Sequence, residues 1–204
     1  LSVARSQSNR NEIAEKVTVI SSKTISRSPL GTGADLLAMT PGVRIQKSQG
    51  GGGSPVLRGF EANRVLLVVD GVRMNNAIYR SGHLQNAITI DPNTIERVEV
   101  MFGSSSVGYG SDALGGVIHY YTKSPQLNRV EPLKLNFSSE YNSATQAGLY
   151  HASASVSKEK WGSITSVSYS QFGDIKMGER RAHGFLEWGL SNYYSENSST
   201  YFQS

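Results

Sequence analysis

Four histidines, His83, His119, His151 and His183, are the side chains best suited to metal or proton chemistry, and none stands at ligand spacing from another. Ser104-Ser105-Ser106 lacks the Gly-x-Ser-x-Gly frame that raises a serine nucleophile on a sharp strand-to-helix turn. Gly50-Gly51-Gly52-Gly53-Ser54 invites comparison with a phosphate loop. Such a loop needs Gly-Lys-Ser/Thr opening a helix, and here Pro55 and the strand-like Val56-Leu57-Arg58 follow instead. The glycine run is read as a flexible turn. Glu96 and Glu99 flank Arg97 in strand-like text, a pattern of salt-bridge partners more than of acid and base. Cysteine is absent, which removes disulfides, thiolate catalysis and thiolate metal sites together. No catalytic constellation emerges, and an enzyme is not expected.

The elements that must carry these residues are β-rich. The 204 residues include 21 glycines and ten tyrosines, with only 38% hydrophobic residues, a mixture poor for packed helices and common where strands and turns dominate. There is no run of about 18 apolar residues, so no transmembrane helix is expected; a membrane β-barrel stays open, because its strands alternate. Leu1 to Arg10 is polar and lacks the apolar core of a secretory signal, as a processed N-terminus would. The net charge of +4 lies in residues 1–125, with 13 Lys/Arg against 9 Asp/Glu. These basic residues are scattered without aromatic interleaving, so no nucleic-acid partner is expected.

Two textures meet near Ser124-Pro125. Before it, short apolar runs alternate with Gly, Ser, Asn and Pro. Strands are predicted at Val17–Ile20, Val65–Val69, Arg97–Phe102 and Val117–Thr122, with a short helix from Gly33 to Met39 stopped by Pro41-Gly42 and a turn begun by Asp91-Pro92. The sum is a small mixed α/β domain. After Pro132 the period becomes two. Leu133, Leu135 and Phe137 share one face, and Lys134, Asn136, Ser138 and Glu140 the other. Tyr150, Ala152, Ala154 and Val156 then alternate with His151, Ser153, Ser155 and Ser157. Segments of about ten residues with one apolar face are the pattern of outer-membrane barrel strands, and Trp161 beside the Lys158-Glu159-Lys160 turn suits an interfacial girdle. A third segment, Ser163 to Phe172, is less clean, since Ile164 opposes Val167 and Tyr169. The alternative is a soluble antiparallel sheet with one wet face, serving as a ligand-binding or adhesion module. Three or four strands cannot close a barrel, and an open edge cannot sit in lipid, so most of any barrel is expected to lie outside these residues.

One series of motifs rises above background. Pro41-Gly42-Val43 is followed by Arg58-Gly59-Phe60, then by Val65-Leu66-Leu67-Val68-Val69-Asp70-Gly71-Val72-Arg73 and Ile95-Glu96-Arg97-Val98-Glu99-Val100. Gly103-Ser104 and Tyr109-Gly110-Ser111-Asp112-Ala113-Leu114-Gly115-Gly116-Val117-Ile118 complete it. Together and in this order they resemble the plug domain of TonB-dependent outer-membrane receptors. The stretch from Arg73 to Asn86 further resembles plugs of the haem and haemoglobin branch of Bacteroidetes type.

The resemblance implies a globular plug inside a 22-stranded barrel, divided here into a tether at residues 1–12, a plug at 13–125 and the first barrel strands with an outer loop at 126–204. It implies a bacterial outer-membrane importer of a scarce bulky nutrient, with no permanently bound cofactor and with haem or an iron complex as cargo. It implies TonB and its inner-membrane energising complex as partners, together with outer-membrane lipid and a surface lipoprotein or larger outer-membrane assembly. Coupling to TonB would run through the segment of Leu1, Ser2 and Val3, the tail of a TonB box. Arg58, Arg97, Glu96 and Glu99 would pair the plug with the barrel wall. Cargo would meet His83 as an axial ligand to haem iron, with Tyr79 stacking, Arg80 on a propionate and Asn76 beside them.

Overall fold

A computed structural model describes residues 17–27, 32–47, 51–61, 64–74, 87, 89–103, 109, 113–127, 130–143, 145–173, 175–176, 194–195 and 200–203. The plug is organised by a five-stranded sheet of order β1-β6-β7-β4-β5, formed by Val17–Ile20 (β1), Val65–Val69 (β4), Val72–Arg73 (β5), Ile95–Phe102 (β6) and Gly116–Thr122 (β7). β4 and β7 run parallel, with Val65 opposite Gly116; the other pairs are antiparallel. A separate hairpin joins Val43–Gln46 (β2) to Ser54–Leu57 (β3), and two short helices, Ser22–Ile25 (α1) and Gly33–Ala38 (α2), flank the sheet.

The VLLVV run is buried because both of its faces are covered. Val65 and Leu67 point into a core with Leu36, Leu37, Leu57, Val98, Val100, Ile118 and Tyr120, while Leu66 and Val68 meet Val17, Met101, Tyr109, Ala113 and Val117 on the other face. Full burial of a leucine contributes about 1.5–3 kcal/mol, and five leucines here have no exposed surface. α2 starts at Thr32, whose hydroxyl accepts from the Asp35 amide at 3.3 Å and donates to the Asp35 carboxylate at 2.9 Å. The Tyr120 hydroxyl reaches the Gly33 carbonyl at 3.4 Å, tying sheet to helix.

Two dipeptides turn the chain with positive φ at both residues, Arg58-Gly59 at 48° and 87° and Asp70-Gly71 at 46° and 86°. These are the values of the tight hairpin turn that matches strand twist. The glycine run departs from the flexible turn expected of it. Gly51, Gly52 and Gly53 are buried, and a Cβ at Gly53 would lie 2.7 Å from that of Ala34. Glycine is required there by close approach rather than by flexibility.

Beyond Pro132 come three long antiparallel strands, Leu133–Asn142 (β8), Ala147–Ser157 (β9) and Gly162–Gln171 (β10). Short strands follow at Ile175–Lys176 (β11), Tyr194–Ser195 (β12) and Thr200–Gln203 (β13). β11 pairs with β12, and β13 extends the wall beside β10. Outward-facing Leu133, Leu135, Phe137 and Tyr141 are all more than half exposed, and Tyr150, Val167 and Tyr169 share that surface. A soluble module would not leave such a face uncovered; a lipid-facing barrel wall must. The inner face carries Lys134, Asn136, Ser138, Ser153, Ser155 and Ser166. Ile164 lines the same inner side, which accounts for its break in the alternation.

Candidate functional site

The stretch expected to meet cargo, with Asn76, Tyr79, Arg80 and His83, lies outside the described residues, as does the segment of Leu1, Ser2 and Val3. The charged residues expected between plug and wall are described. Arg97 Nε donates to Glu99 Oε1 at 3.0 Å within β6, and its guanidinium lies 3.7 Å from the centroid of the Tyr121 ring. Glu99 is buried. Arg58 lies over the Phe102 ring at 5.0 Å. Glu96 is exposed on the side that faces the wall.

Arg97 and Glu99 belong to a larger polar cluster on the sheet. His119 stands opposite Glu99 in register and stacks on Tyr121 with ring centroids 4.0 Å apart. Its Nε2 accepts the Gly71 amide proton at 3.1 Å, so the neutral ring carries its proton on Nδ1, 3.0 Å from the Tyr121 hydroxyl. Burial lowers the His119 pKa, and the carboxylates of Glu99 and Asp70 oppose that without overcoming it. Asp70 also receives the Thr122 amide, so the hairpin after β4 is pinned to the end of β7.

The plug meets the wall through residues for which the sequence raised no such role. Asp91 caps the 3-10 turn Pro92–Thr94, its Oδ1 accepting from the Asn93 amide at 2.8 Å and from Asn93 Nδ2 at 3.0 Å. Its other oxygen accepts from the Ser168 hydroxyl of β10. The Ser168 oxygen lies 2.6 Å from His151 Nδ1 of β9, which is itself 3.6 Å from Asp91. All three side chains are nearly buried. Lys123 closes the plug side, its amide donating to Thr94 O at 2.9 Å and its ammonium to Asn93 O at 2.6 Å, and burial lowers its pKa. The chain between plug and wall is also fastened, since the Ser157 hydroxyl donates to Gln126 O and Pro125 packs against Gly162.

Around this contact runs a cavity of about 1130 Å³ between plug and wall. α1, the 91–96 segment and residues 122–126 line one side, and the Ser/Asn face of β8, β9 and β10 the other. Short turns face the periplasm in bacterial barrels and long loops face outside. The connection from Gln171 to Thr200 is long and the 158–161 turn short, so the Gln171 end of the wall is the outer end and the 158–161 turn the periplasmic one. The cavity runs from Gln126 and Lys134 near the periplasmic side to Glu140 and Ser170 near the outer one. Among the described residues, no group of three or more His, Asp or Glu converges to hold a metal ion.

This arrangement, a sheet-centred plug fastened inside a wall that is apolar outside and polar inside, has known relatives. The TonB-dependent receptor plug domain family matches residues 9–117, and the chain belongs to that family. It is 37% identical over 131 residues to the vitamin B12 transporter BtuB of Vibrio vulnificus (strain CMCP6), covering 63% of this chain and 21% of that one. It is 39% identical over 107 residues to a hemin receptor of Yersinia pestis, covering 52% of this chain and 15% of that one. Among solved structures, the copper transporter OprC superposes with a TM-score of 0.67 at 22% identity, over 78% of this chain and 24% of that one. The ferripyoverdine receptor of Pseudomonas aeruginosa gives 0.67 at 18% identity, over 86% and 23%. The chain thus spans about a fifth of the length of the curated relatives it matches. It is a plug followed by the start of a β-barrel, and its place is the bacterial outer membrane.

Proposed function

We propose that the chain is the plug and first wall strands of an energised importer that carries a scarce, bulky, metal-bearing nutrient across the outer membrane. The observation that supports this most is the plug–wall boundary. A plug meant only to stopper the barrel would be sealed by apolar packing, whereas this one is held by a few polar contacts across a polar cavity. A hydrogen bond to a charged group contributes about 1.5–3 kcal/mol net, so a few of them hold at rest and yield to a sustained pull. The energy would come from TonB and its inner-membrane complex, acting on the segment that includes Leu1, Ser2 and Val3. A surface lipoprotein or larger outer-membrane assembly would present the cargo.

Haem is the favoured cargo, with an iron–siderophore complex second. Relatives named as a hemin receptor and a vitamin B12 transporter both handle metals held in large organic ligands. His83 offers an imidazole for axial ligation, with Tyr79, Arg80 and Asn76 close to it in sequence. The test is haem titration of the intact receptor and of its His83→Ala variant, followed by the Soret band. Wild type should bind with a ligand-shifted Soret band, and the variant should lose affinity and shift. An unchanged spectrum in the variant removes His83 from ligation, and no binding by wild type removes haem as cargo.

A further inference from the structure

We propose that Asp91, Ser168 and His151 form the latch through which a pull on the plug is passed to the barrel wall, and that its release opens the polar cavity as the cargo's path. This rests on the importer reading. The force route is visible in the sheet. β1 is the first strand after the N-terminal segment in the chain, and it is laddered to β6 from Val17 opposite Met101 to Ile20 opposite Val98. β6 follows directly on the Pro92–Thr94 turn that Asp91 caps. One carboxylate therefore holds the plug turn with one oxygen and the wall with the other. A displacement of β6 must either carry the wall with it or break the bond to Ser168.

What lies on each side of the latch decides which gives way. Behind it, β6 contributes Val98, Val100 and Phe102 to an apolar core with fully buried Leu36, Leu37, Leu57 and Leu67, which resists extraction. In front of it lie serines, asparagine and charged groups, Glu96 and Lys123 from the plug and Lys134 and Glu140 from β8. Polar walls that part in water regain hydrogen bonds to solvent, so separation there costs less than unpacking leucines. The cavity flanks the latch both toward Lys134 and toward Ser170. Once Asp91 leaves Ser168, the cavity that runs around the latch widens into a hydrated path along β8–β10.

Ser168→Ala is the clean probe, because it removes the wall donor and leaves the Asp91 cap intact. Ser153 lines the cavity two residues from His151 and is only partly exposed, so a Ser153→Cys substitution in the intact receptor, measured against the same receptor without it, reports on the cavity through the added rate of thiol labelling, without any cargo. Ser168→Ala should raise that rate several-fold. In a second receptor, Asp91→Cys and Ser168→Cys are joined by a short reductant-cleavable bis-thiol reagent. That bridge should keep surface binding, abolish uptake, and restore uptake on reduction. An unchanged labelling rate, or normal uptake with the bridge closed, overturns the latch. If the wild-type receptor imports neither haem, cobalamin nor a ferric siderophore, the importer reading falls while the labelling rates still decide the latch.

Discussion

Asp70 and Thr122 stand 52 residues apart in sequence and are joined twice, the Thr122 amide donating to Asp70 Oδ1 at 3.0 Å and its hydroxyl to Oδ2 at 2.6 Å. The same aspartate occupies a left-handed position, φ 46°, in the turn that ends β4. Turn chemistry and strand pairing thus depend on one side chain. Asp70→Ala removes both hydrogen bonds and places a poorly tolerated residue at positive φ, with an expected loss of about 1–2 kcal/mol. Asp70→Asn keeps an acceptor and tolerates the conformation, so it should lose less. The denaturant midpoint of plug unfolding in the detergent-solubilised receptor measures both.

His119 gives the plug a pH dependence. Burial holds its folded pKa below the ordinary 6.5. Below pH about 6.5 the unfolded chain therefore takes up a proton that the folded chain still refuses. Stability is full above that value and falls as pH drops through the interval down to the folded pKa, where the loss ends. One proton limits the slope to about 1.4 kcal/mol per pH unit. His119→Gln should flatten the stability profile between pH 7 and pH 5, and identical slopes for variant and wild type would show that His119 does not titrate on unfolding.

The two faces of the wall should respond oppositely to charge. Phe137 is 75% exposed on the outer side, and Ser138 lines the cavity on the inner side. Phe137→Arg should cost about 2–4 kcal/mol near the bilayer midplane and lower the folded yield in lipid vesicles. Ser138→Arg, one residue away, should fold nearly as well as wild type. Equal losses would contradict the inside–outside assignment of β8.

Much of the fold was legible because local pattern and tertiary burial agree. The Val65–Val69 run, the Asp70-Gly71 turn and the two-residue period of β8 and β9 all declare themselves within ten residues. The β2–β3 hairpin declared itself only in part: Val56-Leu57 read as strand-like, but β2 was not read, and Gly51–Gly53 read as a flexible turn when in fact the chain at Gly53 is buried against Ala34 and Ile45. Proline is tolerated there because β3 pairs on one side only, with β2. The plug–wall contact was hidden for another reason. Asp91 reads correctly as the start of a turn, His151 reads as a member of a polar strand face, and Ser168 falls in the third segment, whose alternation is less clean. Nothing local says that an aspartate will meet a serine 77 residues later. Arg97 and Glu99, whose spacing in strand-like text read as that of salt-bridge partners, do find each other along one strand.

The most direct test of the central claim is removal of the segment upstream of Val17 from the intact receptor, with surface binding and energised uptake of labelled haem, cobalamin and a ferric siderophore measured in the same cells. The segment is polar and unpatterned and precedes the first plug strand, as a tether for an outside pull should be. The account predicts that the truncated receptor reaches the outer membrane and binds its cargo as wild type does, and that its uptake falls to the level of cells lacking TonB. Normal uptake by the truncated receptor would contradict it.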